Sequence, residues 1–353
     1  MKKSLLALAA LTAFAGAASA QSSVTLFGIL DLAATSVDNA NAGTLRTLSP
    51  SGNATSRLGL RDVEDLGGGL TAGFWLEGEL APDVGGGIHT APGTTANAMN
   101  WQRRATVQIA GNFGEVRMGR DYTPTFSNIS TYDAWGYVGV STLANIRAAA
   151  LNSKAGTAVR ASNAVEYFLP SLGGLYGNVM VAAGEGSLGN KYVGGRLGYA
   201  AGPLNVSAAY GKTYKTCING TMTCMVDDLK TANVGASFNA GFLQVMAGFE
   251  KSDYSTATQK LATAAVLVPF GASTLKLSIT STTGGVAGNN AYKAKVYGLG
   301  YQYDLSKRTA LYAQYGRVSN GSGATFTASD SGNSGIAAGQ TSTGYQFGMR
   351  HNF

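Results

Sequence analysis

Few residues in this chain have the types and spacing that chemistry needs. Its two histidines are His89, in a Gly-Gly-Gly-Ile-His-Thr stretch, and His351, two residues from the end. A hydrolase needs a general base beside a nucleophile or a water. His89 and His351 belong to opposite ends of any fold built from this pattern, so no Ser-His-Asp constellation forms and an enzyme is not expected. Cys217 and Cys224 flank Ile-Asn-Gly-Thr-Met-Thr with no histidine nearby, which favours a loop-stapling disulfide over a metal pair. No phosphate loop, dinucleotide fingerprint or zinc spacing is present, so no cofactor or metal is expected. What remains is charge. Lys and Arg number 26 against 19 Asp and Glu. In Ser56-Arg57-Leu58-Gly59-Leu60-Arg61 the leucines take one side of a strand and Arg57 the other; Arg104 stands likewise beside apolar Ala105. Exposed charges of this kind do little, because salt screens them within about 8–10 Å. Inside a narrow passage with low-dielectric walls they focus a field and favour anions.

The elements that must hold these charges are strands. Period-two patterning recurs along the chain, as in Leu204-Val206-Ala208-Tyr210, Ala232-Val234-Ala236-Phe238, Leu243-Val245-Ala247-Phe249 and Tyr345-Phe347-Met349, with Asn205, Ser207, Asn233 and Gln346 between. A soluble sandwich and an outer-membrane barrel look alike strand by strand. The connections separate them. Tight turns are expected at Gly67–Gly69, Gly111–Gly114, Ser171–Gly174, Ala200–Pro203, Asn239–Gly241, Gly271–Ser273 and Asp304–Lys307. Longer polar stretches alternate with them near 36–54, 82–99, 122–158, 184–190, 212–228, 252–258, 281–291 and 317–341. Seven short and eight long connections give an all-β fold, a sixteen-stranded antiparallel transmembrane barrel with short periplasmic turns and long outer loops. Closure also removes the flat apolar edge that the last strand, ending in Phe353, would otherwise expose.

The stretch from Phe113 to Tyr167 departs from the pattern. A loop of about 35 residues is unusual in a compact chain, and 122–158 is read as folding back into the barrel and narrowing it. It carries Asp121 at its entry, Asp133 inside, and the rings of Tyr122, Tyr132, Trp135 and Tyr137, which either line the passage or pin the loop to the wall. Lys293 and Lys295 share one face and are candidates to extend a basic track along the lumen.

The compartment follows from the ends and the composition. Lys2 and Lys3, the apolar run Leu5 to Ala15, and Ala18-Ser19-Ala20 form a signal peptide over 1–20, so the barrel domain is 21–353. Removing the two lysines lowers the formal charge from +7 to +5. No later apolar run reaches the roughly 18 residues of a membrane helix. Charged residues are 13%, about half the usual share. The basic excess is dispersed in an exported chain, which excludes a nucleic-acid partner.

In this order, Ser23-Val-Thr-Leu-Phe-Gly28, Ser56-Arg-Leu-Gly-Leu-Arg61, Glu64-Asp-Leu-Gly-Gly-Gly-Leu70, Gly119-Arg-Asp-Tyr-Thr-Pro124 and a terminal Phe353 resemble the Gram-negative outer-membrane general porins of the beta-proteobacterial type. The resemblance spans the mature chain. It implies passive diffusion of small hydrophilic solutes and ions, a homotrimer in outer-membrane lipid and lipopolysaccharide, and a terminal Phe353 read by the barrel-assembly machinery. It also implies that Arg57, Arg120 and Arg160 form a ladder on the barrel wall facing the inward loop; Arg104 is a fourth candidate, with Asp121 and Asp133 as the acidic groups. The expectation is a channel with anion preference, the alternative a substrate-specific channel. The chain departs from the family pattern in two ways: Ile29 replaces a common lysine, and the loop lacks Pro-Glu-Phe-Gly.

Overall fold

The computed structural model describes residues 24–87, 100–148, 151, 153, 155–216, 226–286, 292–329 and 335–353. Cys217, Cys224, His89 and the signal peptide lie outside them. The strands are β1 Thr25–Asn39, β2 in two pieces, Gly43–Pro50 and Arg57–Gly67, β3 Leu70–Ala81, β4 Arg104–Gly111, β5 Gly114–Tyr122, β6 Arg160–Phe168, β7 Leu175–Ala182 and β8 Tyr192–Ala201. The second half continues with β9 Leu204–Thr216, β10 Asp227–Asn239, β11 Gln244–Tyr254, β12 Ala257–Phe270, β13 Ser273–Val286, β14 Tyr292–Asp304, β15 Thr309–Asn320 and β16 Thr341–Asn352. A two-residue strand, Gly86–Gly87, folds back antiparallel onto Leu80 and Ala81 at the end of β3. Each strand pairs antiparallel with its neighbours, and β1 meets β16 from Ile29↔Asn352 to Asn39↔Ser342, closing sixteen strands into a barrel.

Alternation explains the wall. Along β10, Thr231 and Asn233 are buried inward while Val234 and Phe238 are exposed outward. The apolar set faces lipid and the polar set faces the lumen, the inverse of a soluble protein. The seven tight turns fall where glycine and proline predict them. At Gly67, Gly68 and Gly69 φ is +83°, +62° and +79°, a left-handed run that side chains resist.

The outer connections are shorter than the polar stretches imply. β1 and β2 run up to Asn39 and from Gly43, and β11 and β12 are joined by Ser255 and Thr256 alone, where 252–258 reads as a long loop. Beyond the lipid both faces of a strand are polar, so hydropathy alternation stops while the hydrogen-bond ladder continues. Lys293 and Lys295 also differ from expectation: both face outward, because Ala294 and Val296 take the buried inner face.

The break in β2 is an inward fold. Residues 51–56 stand opposite only Leu30 and Asp31 of β1. The buried Asp31 carboxylate gathers them, accepting the backbone N–H of Gly52 (3.1 Å), Asn53 (3.0 Å) and Ala54 (2.8 Å) and the hydroxyl of Tyr312. Across the inner wall Asn53 Nδ2 donates to Gln302 Oε1 at 2.9 Å, and Gln314 Nε2 donates to the Gly52 carbonyl at 2.9 Å.

Candidate functional site

Between β5 and β6 the chain turns into the lumen and stays there. Pro124 opens helix α1, Pro124–Thr131, and a 3-10 turn follows at Leu143–Ile146, with the Thr142 hydroxyl accepting from Ala144 N. Neither element announces itself by periodicity, because α1 carries no charge and is buried on several sides. The loop is fixed to the wall from β8 to β16. Asn128 Nδ2 donates to Asn233 Oδ1 at 2.8 Å, Tyr132 Oη shares a 2.5 Å hydrogen bond with Ser207 Oγ, and Trp135 Nε1 donates to Ser278 Oγ at 2.8 Å. Val140 N donates to Gln346 Oε1 at 3.1 Å. Glycines on the wall leave room for it. A Cβ at Gly298 would stand 2.7 Å from the Trp135 ring, and one at Gly344 2.7 Å from Val140 Cγ1, closer than real side chains approach.

This anchoring settles what the loop side chains do. Tyr132 and Trp135 are 0% and 1% exposed and pin the loop to the wall. Tyr137 sits at φ +68° with its ring edge-on to Phe126 and its hydroxyl accepting from Arg147 Nη1 at 3.0 Å. Arg147 in turn meets Glu250 of β11 through two bonds, Nε–Oε1 at 2.6 Å and Nη2–Oε2 at 3.0 Å. Burial works against that guanidinium's charge, but Glu250 and Tyr137 outweigh it and raise its pKa. Asp133 is 8% exposed and faces its own loop, accepting from Thr142 Oγ1 (2.5 Å), Tyr137 N (3.0 Å) and Trp135 N (3.3 Å). Burial pushes its carboxyl up to about 6 despite those donors and nearby Lys276. It organises the loop and does not face the passage.

Opposite the anchored loop, arginines gather. Arg103 Nη2 and Arg160 Nη2 both donate to Tyr122 Oη, at 2.7 and 2.8 Å, and the Arg160 guanidinium lies 4.4 Å from the Tyr122 ring centroid. Tyr122 stacks on Phe126 of α1 at 4.9 Å, which ties the cluster to the loop. Arg103 Nε donates to Glu77 Oε1 at 2.6 Å, and Arg57 Nε stands 3.8 Å from the same oxygen. Arg103 therefore links the other two, sharing the tyrosine hydroxyl with Arg160 and the Glu77 carboxylate with Arg57, and Glu79 stands 3.9 Å from it.

A second layer lies beside the first. Arg104 Nε and Arg117 Nη1 reach Asp121 Oδ2 at 3.3 and 2.6 Å, and Arg117 also holds Glu115 at 2.8 Å. Arg104 packs 4.6 Å from the Trp75 ring and Arg117 4.3 Å from the Phe168 ring. Arg104, Arg117, Asp121, Trp75 and Phe168 line a cavity of about 280 Å³ together with Ser127 of α1.

Arg120 goes elsewhere. It has the outward parity of Val116 and Met118, and its guanidinium rests on the Gln102 carbonyl (2.6 Å) and Ser162 Oγ (2.8 Å). The bulge after Gly119, φ +131°, shifts the pairing with β6 without turning Arg120 to the cluster.

Residues 7–324 match the family model described as Gram-negative porin. This chain belongs to that family. The porin is 38% identical to outer membrane porin protein 32 of Delftia acidovorans, with all of both chains covered. It is 24% identical to major outer membrane protein P.IB of Neisseria meningitidis serogroup B, covering 95% of this chain and 99% of that one. Among solved structures, an anion-selective porin from Comamonas acidovorans superposes with a TM-score of 0.82 at 34% identity, over 94% of this chain and 100% of that one. The porin fold places the protein in the Gram-negative outer membrane. Of its lumen groups, Glu77 and Arg117 were readable by alternation, opposite Leu76 and Met118. Arg103 was not: the backbone bends there, so it and its neighbour Arg104 both point inward.

Proposed function

We propose that this porin is a passive diffusion channel for small hydrophilic solutes and ions that prefers anions, with Arg57, Arg103 and Arg160 as the selecting groups. One observation carries the reading: Arg103 joins Arg160 at the Tyr122 hydroxyl to Arg57 at Glu77, so three guanidinia form one chain, while the inward loop's own acid, Asp133, is spent on its own loop. Fixed positive charge in a passage narrowed by protein attracts anions and repels cations. The relative from Comamonas acidovorans is described as anion-selective. Arg104, Arg117 and Asp121 form a compensated second layer that tunes the field.

The channel is a homotrimer inserted by the barrel-assembly machinery, in contact with lipopolysaccharide. The C-terminal strand end supports the assembly reading: Phe353 N and O exchange hydrogen bonds with Gly28 at 3.1 and 3.0 Å, and its ring lies against Gly28 on the outer face. A channel without catalysis is supported by His351, which lies on the outer surface bonded to Thr309 Oγ1 at 2.9 Å.

The test is the zero-current potential of refolded protein in a planar bilayer under a KCl gradient. A chloride-signed potential is expected, and Arg57→Glu with Arg103→Glu should reverse its sign. A potassium-signed wild type, or no shift in the double variant, would overturn the assignment.

A further inference from the structure

We propose that Asp31 is a positioning residue for ion selection: its carboxylate folds residues 51–56 inward, and that fold sets where Arg57 stands in the passage. The proposal rests on the reading of Arg57 as a selecting group. It starts from an inequality among the three guanidinia. Arg103 and Arg160 are each hydrogen-bonded to the Tyr122 hydroxyl, at 2.7 and 2.8 Å. Arg57 has Glu77 as its close acid at 3.8 Å, beyond hydrogen-bond reach. Its own side-chain contacts fix it little, so the place of its charge depends on its backbone.

That backbone leaves the ladder just before Arg57. Leu32 pairs with Pro50 and Ile29 with Arg57, so six residues stand where Leu30 and Asp31 would face two. Alternation turns Leu30 toward lipid and Asp31 toward the lumen, and the acceptor that can gather the surplus lies on the inner side. An ionised carboxylate offers about four acceptor sites and no donor. Here four donors converge on it, the N–H groups of Gly52, Asn53 and Ala54 and the Tyr312 hydroxyl. The backbone of Asp31 closes the fold at both ends. Its carbonyl accepts from Ser51 N and Ser56 Oγ, and its N–H donates to Ser56 Oγ, all at 2.9 Å. The Ser56 carbonyl in turn accepts from Leu80 N of β3 at 2.9 Å, so the residue before Arg57 is tied to both neighbouring strands. Asp31 itself is 0% exposed and meets no passing ion.

Charge and position predict opposite signs for one substitution. Asp31→Asn removes a negative charge from the lumen wall, which through the field alone strengthens chloride preference. It also replaces an acceptor oxygen with a donor, so at least one of the three backbone N–H groups loses its partner and the fold before Arg57 loosens. Positioning therefore predicts a weaker preference.

The test measures zero-current potentials under a KCl gradient for wild type, Asp31→Asn, Ser56→Ala, Arg57→Gln and the double variant Asp31→Asn/Arg57→Gln, with heat-modifiable mobility reporting that each barrel folds. The chloride-to-potassium permeability ratio should fall by about two- to fivefold in Asp31→Asn and by less in Ser56→Ala, which changes no charge. With Arg57 already replaced, Asp31→Asn should lower the ratio no further, because the two residues act through one group. A ratio that holds or rises in Asp31→Asn overturns the proposal, as does an equal fall in the Arg57→Gln background. If Asp31→Asn does not fold, Ser56→Ala decides, and an unchanged ratio there counts against it. Amide exchange separates this inference from the reading beneath it. In Asp31→Asn exchange should quicken at 52–54 and stay as it is over α1; no change at 52–54 would mean that the carboxylate does not hold the fold. An unaltered ratio in Arg57→Gln alone would instead remove Arg57 as a selecting group, with exchange at 52–54 still reporting on Asp31.

Discussion

Inside the barrel the cations are arginines; on the outer wall of β8–β15 they are lysines, with Arg317 the exception outside and Lys276 inside. The two side chains hold charge differently. Arg103 engages Glu77 and Tyr122 at once, and Arg147 grips both oxygens of Glu250, so each charge is held at a set point in the lumen. The outer lysines stand on long, flexible stems at the edge of the apolar band, Lys212 and Lys251 each against a single carboxylate. Charges held at set points concentrate the field where an ion must pass, whereas a mobile charge spreads the same field over a wider part of the passage.

That contrast breaks most visibly where an inner arginine is removed. Arg147→Ala leaves Glu250 buried without its cation, a loss of about 3–5 kcal/mol. The loop between β5 and β6 should detach, seen as increased amide exchange over 123–148 and noisier, larger single-channel currents. An unchanged exchange pattern would mean the pair does not hold the loop.

Asp133 tests the loop from its acidic side. Its carboxyl, at about 6 in the folded loop, lies above the ordinary 3.8. The folded loop therefore binds the proton more tightly than the released loop does. Its stability is greatest below 3.8 and falls as pH rises through about 6, by about 3 kcal/mol in all. Current noise should drop on acidification from pH 7 to 5, and Asp133→Asn should remove that dependence.

The smallest effect sharpens the comparison itself. Arg103→Lys keeps the charge and loses the two-point hold. Chloride preference should persist but weaken two- to fivefold, about 0.5–1 kcal/mol, in zero-current potential. Full retention would mean that charge alone matters inside and that the choice of arginine carries no selectivity.

Much of this was legible in the chain. Strand count, turn positions and closure follow from period-two patterning and glycine-rich turns, because lipid and lumen impose opposite polarities on alternate residues. Arg57 was legible for that reason. Arg103 was not, since alternation admits only one of two neighbours and a bend admits both. Asp133 read as a pore acid, because sequence shows a lone carboxylate in a loop and not the three donors that claim it. Lys293 and Lys295 share a face, as the spacing says, but the register that turns that face outward depends on Ala294 and Val296, whose small apolar side chains look lipid-facing. The split in β2 left no sequence signal beyond Asp31, an acid among apolar neighbours.

The inward loop's anchors also set an order of events. Its residues are made before β6, yet they bond to Ser278 on β13, the Tyr315 carbonyl on β15 and Gln346 on β16, up to 206 positions later. Contacts so distant in sequence form late, because the chain between them must first be placed. The anchors on β9 to β11 can form earlier, but the loop is fully fastened only after the last strands arrive. A barrel still lacking β16 lacks the bond from Val140 to Gln346, so the final fastening of the narrowed channel coincides with its completion.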